Sequence, residues 1–171
     1  GALSCSIPMS GPYLIGSMTV GGKEIAASGQ LVSILQNGPQ TEHDDAPARE
    51  KFVSTVQKVT VEQNGPVRAC VMVDGFHRGL KSGREWLPFS VRLYFYTGQT
   101  AVRVVHTITF DGDQEKDFVR GIGLQFAVPM REEPRNRTVR FAGDNGGVWS
   151  EPLQPGGGSV AQETGQPFAG N

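Results

Sequence analysis

Arg92, Tyr94 and Tyr96 recur at every second position of the run Phe89 to Thr97, and Arg103 follows just beyond the next turn signal. Alternate positions of an extended chain share one face, so these side chains converge if the run is a strand. A phenol ring presents an apolar platform with a hydroxyl at its rim, and a guanidinium grips a carboxylate with two parallel hydrogen bonds. That combination suits a ligand with apolar C–H faces, hydroxyl edges and an acidic group, the chemistry of an acidic sugar. Arg92, Tyr94, Tyr96 and Arg103 are therefore the candidate substrate-binding residues. The competing reading makes Tyr94 and Arg103 a stacked cross-strand pair that only stabilises the sheet.

Two histidines join Arg92 and Tyr94 as candidates for acid, base or electrostatic chemistry, because imidazole titrates near neutrality. His77 follows Gly75-Phe76 and precedes a polar stretch from Arg78 to Arg84, where an exposed catalytic or ligand-binding histidine is easy to place; a plain surface histidine is the equal alternative. His106 falls among aliphatic neighbours on the strand pattern, which favours a hydrogen-bonded core residue over a catalytic one. The segment from Asp111 to Asp117 gathers four carboxylates, and Asp111, Asp113 and Asp117 are the positions at which Ca²⁺ would bind. Lys116 stands where an EF-hand loop needs Gly, and Ile122 where it needs Glu, so a solvated acidic turn is favoured and no cofactor is expected. No phosphate-binding glycine loop, nucleophile elbow or HExxH helix occurs, which sets aside NTPase, dehydrogenase, kinase and serine-hydrolase chemistry.

The elements that must position these residues read as strands. Tyr13 to Val20, Gln30 to Leu35, Val56 to Gln63, Val67 to Gly75, Phe89 to Thr97, Thr100 to Phe110 and Gly121 to Val128 are apolar or alternating runs bounded by Gly, Pro, Asn or Asp. Gly21-Gly22, Ser28-Gly29 and Asn64-Gly65-Pro66 mark turns. Thr97-Gly98-Gln99-Thr100 fits a two-residue hairpin loop with Gly first, as a type II′ turn requires. That loop pairs Leu93 with Val104, Phe95 with Val102, Val91 with His106 and Tyr94 with Arg103. One face then carries Phe89, Val91, Leu93, Phe95, Val102, Val104 and His106, and the other carries Arg92, Tyr94, Tyr96 and Arg103. A sheet with one apolar face packs it against a second sheet, so the fold class is all-β, a large antiparallel β-sandwich.

In 171 residues, 37% hydrophobic, 23 Gly and 11 Pro serve as punctuation rather than repeat, which agrees with short strands joined by turns. Sixteen basic against 17 acidic side chains leave a net charge of −1, so neither nucleic acid nor membrane is expected as a partner. No apolar run reaches transmembrane length, and Gly1 to Ser6 reads as a fragment boundary, with a processed leader as the alternative. Cys5 and Cys70 are too few for a disulfide framework, and Cys70 within an apolar run reads as a buried inert thiol. Gln36 to Glu50, rich in Pro, Gly and Asp, reads as a border or long surface loop.

The run Trp86-Leu87-Pro88-Phe89-Ser90-Val91-Arg92-Leu93-Tyr94-Phe95-Tyr96, then Val105-His106-Thr107-Ile108-Thr109-Phe110-Asp111-Gly112-Asp113, Asp117-Phe118-Val119-Arg120-Gly121-Ile122-Gly123-Leu124 and Arg140-Phe141-Ala142-Gly143, resembles the exo-acting rhamnogalacturonan lyase and YetA-like family. The resemblance covers Val56 to Glu151. It implies a galactose-mutarotase-like super-sandwich over residues 51–171, truncated, preceded in residues 1–50 by the end of a RIFT-type barrel. It also implies an α/α toroid elsewhere in the polypeptide as a partner domain, and an acidic pectic polysaccharide cleaved by β-elimination. Arg92 would neutralise the uronate carboxylate, with His77, Tyr94, Tyr96 or His106 supplying acid and base. A non-catalytic carbohydrate-binding or scaffolding sandwich is the alternative, and a glycoside hydrolase would need two facing carboxylates that the sequence does not place. A secreted or periplasmic location is expected.

Overall fold

A computed structural model of the chain describes residues 3–39, 47–133, 136–142 and 147–152. Among these residues there are ten β-strands and no α-helix. They fall into two compact units, Gly1–Pro129 and Met130–Asn171.

The first unit holds β1 (Leu3–Ser6), β2 (Ile15–Val20), β3 (Lys23–Gln36), β4 (Arg49–Asn64), β5 (Arg68–Gly79), β6 (Glu85–Tyr96), β7 (Val102–Ile108) and β8 (Phe118–Ala127). Strands β1 to β7 pair in chain order, every pair antiparallel, and β8 returns to pair along β3. Residues of β1, β2 and β8 pack in one core with residues of β5, β6 and β7, strands they do not pair with, so the sheet folds over into two facing layers. Leu14, Ile15, Leu31, Val56, Val73, Val91 and Leu93 are buried between them. A second cluster of Phe52, Trp86 and Leu87 closes the opposite end. The second unit is a hairpin of β9 (Thr138–Ala142) and β10 (Val148–Pro152).

The β6–β7 register is the one expected, with Leu93 opposite Val104, Phe95 opposite Val102 and Tyr94 opposite Arg103. The turn is different. Gln99 N–H donates to the Tyr96 carbonyl at 3.1 Å, so Thr97 and Gly98 are the central residues, and Gly98, at φ +79°, takes the third position where only a residue without Cβ is comfortable. The loop therefore runs to Ala101, and neither Thr97 nor Thr100 belongs to a strand.

Three other expectations are corrected. Ser28-Gly29 does not separate two strands: both lie inside the single long β3, where Ser28 adopts φ 54° and the register to β8 shifts between Ala27 and Gln30, a bulge that bends the strand. His77 is not in a loop, because β5 continues through it to Gly79 after a register shift at Gly75/His77. Glu50 lies in β4 opposite Leu35, so the border expected near residue 50 crosses paired backbone, and the chain divides at Pro129 instead. Of the polar stretch Gln36 to Glu50, residues 40–46 lie outside the described residues; its two ends are paired strands.

Candidate functional site: the outer face of β5, β6 and β7

Alternation along β6 sends Phe89, Val91 and Leu93 into the core and leaves Ser90, Arg92, Tyr94 and Tyr96 on the outer face. Pairing fixes their neighbours on β5: Asp74 opposite Ser90, Met72 opposite Arg92, Cys70 opposite Tyr94 and Arg68 opposite Tyr96. On β7, Arg103 lies opposite Tyr94. The four expected binding residues thus share one face, as the alternation implied.

Arg92 is already engaged. Its Nε and Nη2 donate to Oε2 and Oε1 of Glu62 at 2.8 and 3.0 Å, a bidentate pair reaching across β5 to β4. The guanidinium holds the Glu62 carboxyl below its ordinary range, and the carboxylate raises the Arg92 guanidinium in return. A ligand carboxylate at Arg92 must therefore compete with Glu62. Tyr94 has Arg68 on the β5 side and Arg103 on the β7 side, with guanidinium carbons 5.7 and 5.8 Å from its ring centroid. Arg103 does lie over the Tyr94 ring, and a second arginine shares that ring. Tyr96 and Arg103 also wall a shallow cleft of about 630 Å³ with Val67, Thr97, Gln99 and Val102.

Sequence reasoning missed Arg68 and Glu62. The Asn64-Gly65-Pro66 turn announces the β4–β5 hairpin, but the register shift between Val61 and Gln63 breaks the alternation that would have placed Glu62 on the outer face. Arg68 is matched to Tyr96 only through the β5–β6 pairing, whose own register shift at Gly75/His77 no local pattern reveals. Cys70 is buried as expected, with its Sγ 3.4 Å from Glu62 Oε2 and its thiol pushed up by burial.

The two histidines are on the inner face. His77 is fully buried, where an exposed position was expected, because continuation of β5 turns it into the core opposite Ser54 and Trp86. Its Nδ1 donates to the Leu87 carbonyl at 2.8 Å; a carbonyl can only accept, so the proton sits on Nδ1 and Nε2 is bare. The His106 ring lies 6.2 Å from the His77 ring, with Phe89 packed edge-on against both. Neither Nε2 has a hydrogen-bond partner among the described residues. Burial lowers both pKa values, and His77 lowers His106 further. The core reading of His106 is the one its surroundings favour, and His77 joins it there.

The acidic segment after β7 makes internal bonds. Asp117 accepts both terminal nitrogens of Arg84, at 2.7 and 2.6 Å, and the Asp113 N–H at 2.8 Å. Asp111 accepts the N–H of Leu87, a residue at φ 46° whose left-handed backbone this bond and the His77 bond hold in place. Asp113 accepts the Glu115 N–H and pairs with Lys116. Asp111, Asp113 and Asp117 are thus each committed to donors of their own loop or of β6 and its approach, which makes this segment a clasp over the end of the sheet.

Comparison with known proteins agrees with this architecture. The chain is 40% identical over 154 residues to "Uncharacterized protein YetA" of Bacillus subtilis (strain 168), a stretch that covers 90% of this chain and 18% of that protein. The chain therefore spans about a fifth of the length of the curated relative it matches. A family model described as "PcRGLX-like protein central beta sandwich domain" matches residues 1–166. With nearly the whole chain inside that match and two facing antiparallel layers to show for it, the chain belongs to the PcRGLX-like central β-sandwich family.

Proposed function

We propose that this domain is the carbohydrate-contacting sandwich of a polysaccharide lyase acting on an acidic, rhamnogalacturonan-type polymer by β-elimination. The observation that carries the reading is the outer face of β5 to β7, where Tyr94 and Tyr96 stand among Arg68, Arg92 and Arg103. Aromatic surface for sugar C–H faces and guanidinium groups for a uronate carboxylate are supplied together. Family membership supports the same class of substrate.

In β-elimination a base removes the proton α to the uronate carboxylate, the bond to the leaving oxygen breaks, an acid protonates that oxygen, and a C=C bond forms in the new end sugar. A cation beside the carboxylate lowers the barrier by stabilising charge that grows on it. Arg68 and Arg103, which have no carboxylate partner among the described residues, suit that role, and the phenols of Tyr94 and Tyr96 are its proton-transfer candidates. His77 and His106 face inward and are withdrawn from it.

A second reading has its own support. With both histidines inside and Arg92 paired to Glu62, the outer face is better equipped to hold a saccharide than to deprotonate one. The domain would then bind substrate for catalytic groups carried elsewhere in a longer polypeptide, such as an α/α toroid. The test is to incubate the full-length protein with rhamnogalacturonan and follow the ultraviolet absorbance of unsaturated uronate. Product formation that falls on Tyr94→Phe supports catalysis by this face; product formation indifferent to it supports the binding role; absence of both product and binding refutes the proposal.

A further inference from the structure

We infer that the end of the outer face at Arg68, Tyr96 and Arg103 is the subsite for the carboxylate-bearing residue of an acidic saccharide, and that Arg92 is not. The inference rests on the carbohydrate reading above and assigns its anion-binding groups. Three observations carry it.

First, the guanidinium groups of this face are not equivalent. The Nε/Nη2 edge of Arg92 is held by both oxygens of Glu62, and Nη2 also approaches the Met72 sulfur at 3.4 Å, so the edge that grips a carboxylate side-on is taken and its charge is already paired. Arg68 and Arg103 are exposed, and among the described residues neither has a carboxylate partner within ion-pair distance; their contacts are with the Tyr94 ring. Stacking on an aromatic face leaves the in-plane N–H donors of a guanidinium free, which is the arrangement for bidentate capture of a planar carboxylate.

Second, one of these two guanidiniums, that of Arg103, borders a concavity. The cleft of about 630 Å³ beside the β6–β7 turn is walled by Arg103 and Tyr96, with Gln99 and Thr97 at its turn end and Val67 and Val102 as apolar lining. That volume lies in the range of about 300–1,000 Å³ typical of small-ligand sites. Tyr96 is 36% exposed, enough ring for a sugar face to lie on. Arg68 reaches the same end of the sheet through its pairing with Tyr96.

Third, the cleft is fixed before any ligand arrives. Thr97 N–H donates to the Val67 carbonyl at 3.0 Å and its hydroxyl donates to the Pro66 carbonyl, tying the β6–β7 turn to the β4–β5 turn. Gln99 N–H closes the turn on the Tyr96 carbonyl at 3.1 Å. A preformed wall spares the ordering cost that a mobile loop would impose on binding.

The ligand class follows. Two free guanidiniums ask for an anion, an exposed phenol ring beside an apolar lining asks for a C–H face, and the amide of Gln99 offers both a donor and an acceptor to hydroxyls. An acidic sugar residue satisfies all three; a bare phosphate uses only the first.

The test is calorimetric titration of the full-length protein with a rhamnogalacturonan oligosaccharide and with its carboxyl-reduced, neutral counterpart. Arg68→Gln, Arg103→Gln and Arg92→Gln are compared with the wild type, with thermal melts alongside. We expect Arg68→Gln and Arg103→Gln each to lose roughly tenfold or more in affinity for the acidic form, with the neutral form within about twofold. Arg92→Gln should keep the wild-type preference for the acidic form. Unchanged discrimination in both Arg68→Gln and Arg103→Gln, or its loss in Arg92→Gln alone, overturns the inference while leaving the carbohydrate reading in place. Failure of the wild type to bind either oligosaccharide overturns both.

Discussion

Protonation or removal of the Asp117 carboxylate should loosen the clasp that closes one end of the sandwich. Asp117 is buried, with 8% of its side chain exposed, and accepts three hydrogen bonds, two from Arg84 and one from the Asp113 N–H. Chiefly through the Arg84 bonds, its pKa falls from 3.8 to about 2. Each unit of difference between folded and unfolded states is worth about 1.4 kcal/mol, so the carboxylate contributes about 2 kcal/mol when charged. The sign follows from a folded pKa below the unfolded one: the stabilisation is complete above pH 3.8 and is lost as pH falls toward about 2. Asp117→Asn keeps the shape and removes the charge, leaving a half-exposed Arg84 that water can satisfy. The melting temperature at pH 7 should drop by roughly 6–10 °C, and the variant should show less of the stability loss that the wild type suffers between pH 4 and pH 2. Thermal melts followed by circular dichroism at pH 7, 4 and 2.5 measure both effects. A variant that melts within about 2 °C of the wild type, with an unchanged acid slope, would refute the reasoning.

Two further predictions concern the core. Burial holds His77 and His106 below their ordinary pKa of 6.5, so the unfolded chain takes up protons first, and stability that is full above pH 6.5 declines as pH falls below it. Melts at pH 7 and 5 should show the decline, and His106→Phe should flatten it; an identical slope in the variant would exclude the histidine pair as its source. Leu93 is 1% exposed against Val91 and Val104 of the inner layer, so Leu93→Ala should cost about 2–5 kcal/mol in denaturant unfolding. Val61→Ala, at a position 62% exposed, serves as the control and should stay within about 0.5 kcal/mol.

How much was legible in the sequence depends on the range of the interaction that fixed each feature. Alternation and a Gly-containing turn are local, so the β6–β7 register and the two faces of β6 could be worked out residue by residue, and both stand. The turn itself escaped because Gly98 satisfies a positive φ at either central position, and which one it takes depends on where the Tyr96 carbonyl finds its donor. Bulges were the main source of error. Ser28-Gly29 carries the same signal whether it ends a strand or bends one, and the pairing of β8 along β3 decides for bending. The register shift at Gly75/His77 turned a histidine that looked like a loop residue into the centre of the core. At the candidate site, aromatic and arginine positions on one strand were visible, whereas Glu62 and Arg68 enter only through pairing of three strands, which no sequence window contains. Family resemblance, carried by long runs rather than single residues, was legible and is borne out.

The most direct test of the account is a crystal structure of the full-length protein with a bound acidic oligosaccharide. The account predicts a sugar residue lying on the Tyr96 ring in the cleft beside the β6–β7 turn, its carboxylate paired with the Arg103 guanidinium that walls the cleft, Arg68 adding its charge at the same end of the sheet, and the Arg92–Glu62 pair intact. Density for the saccharide in another part of the protein, with the outer face of β5 to β7 bare or covered by protein, would contradict it.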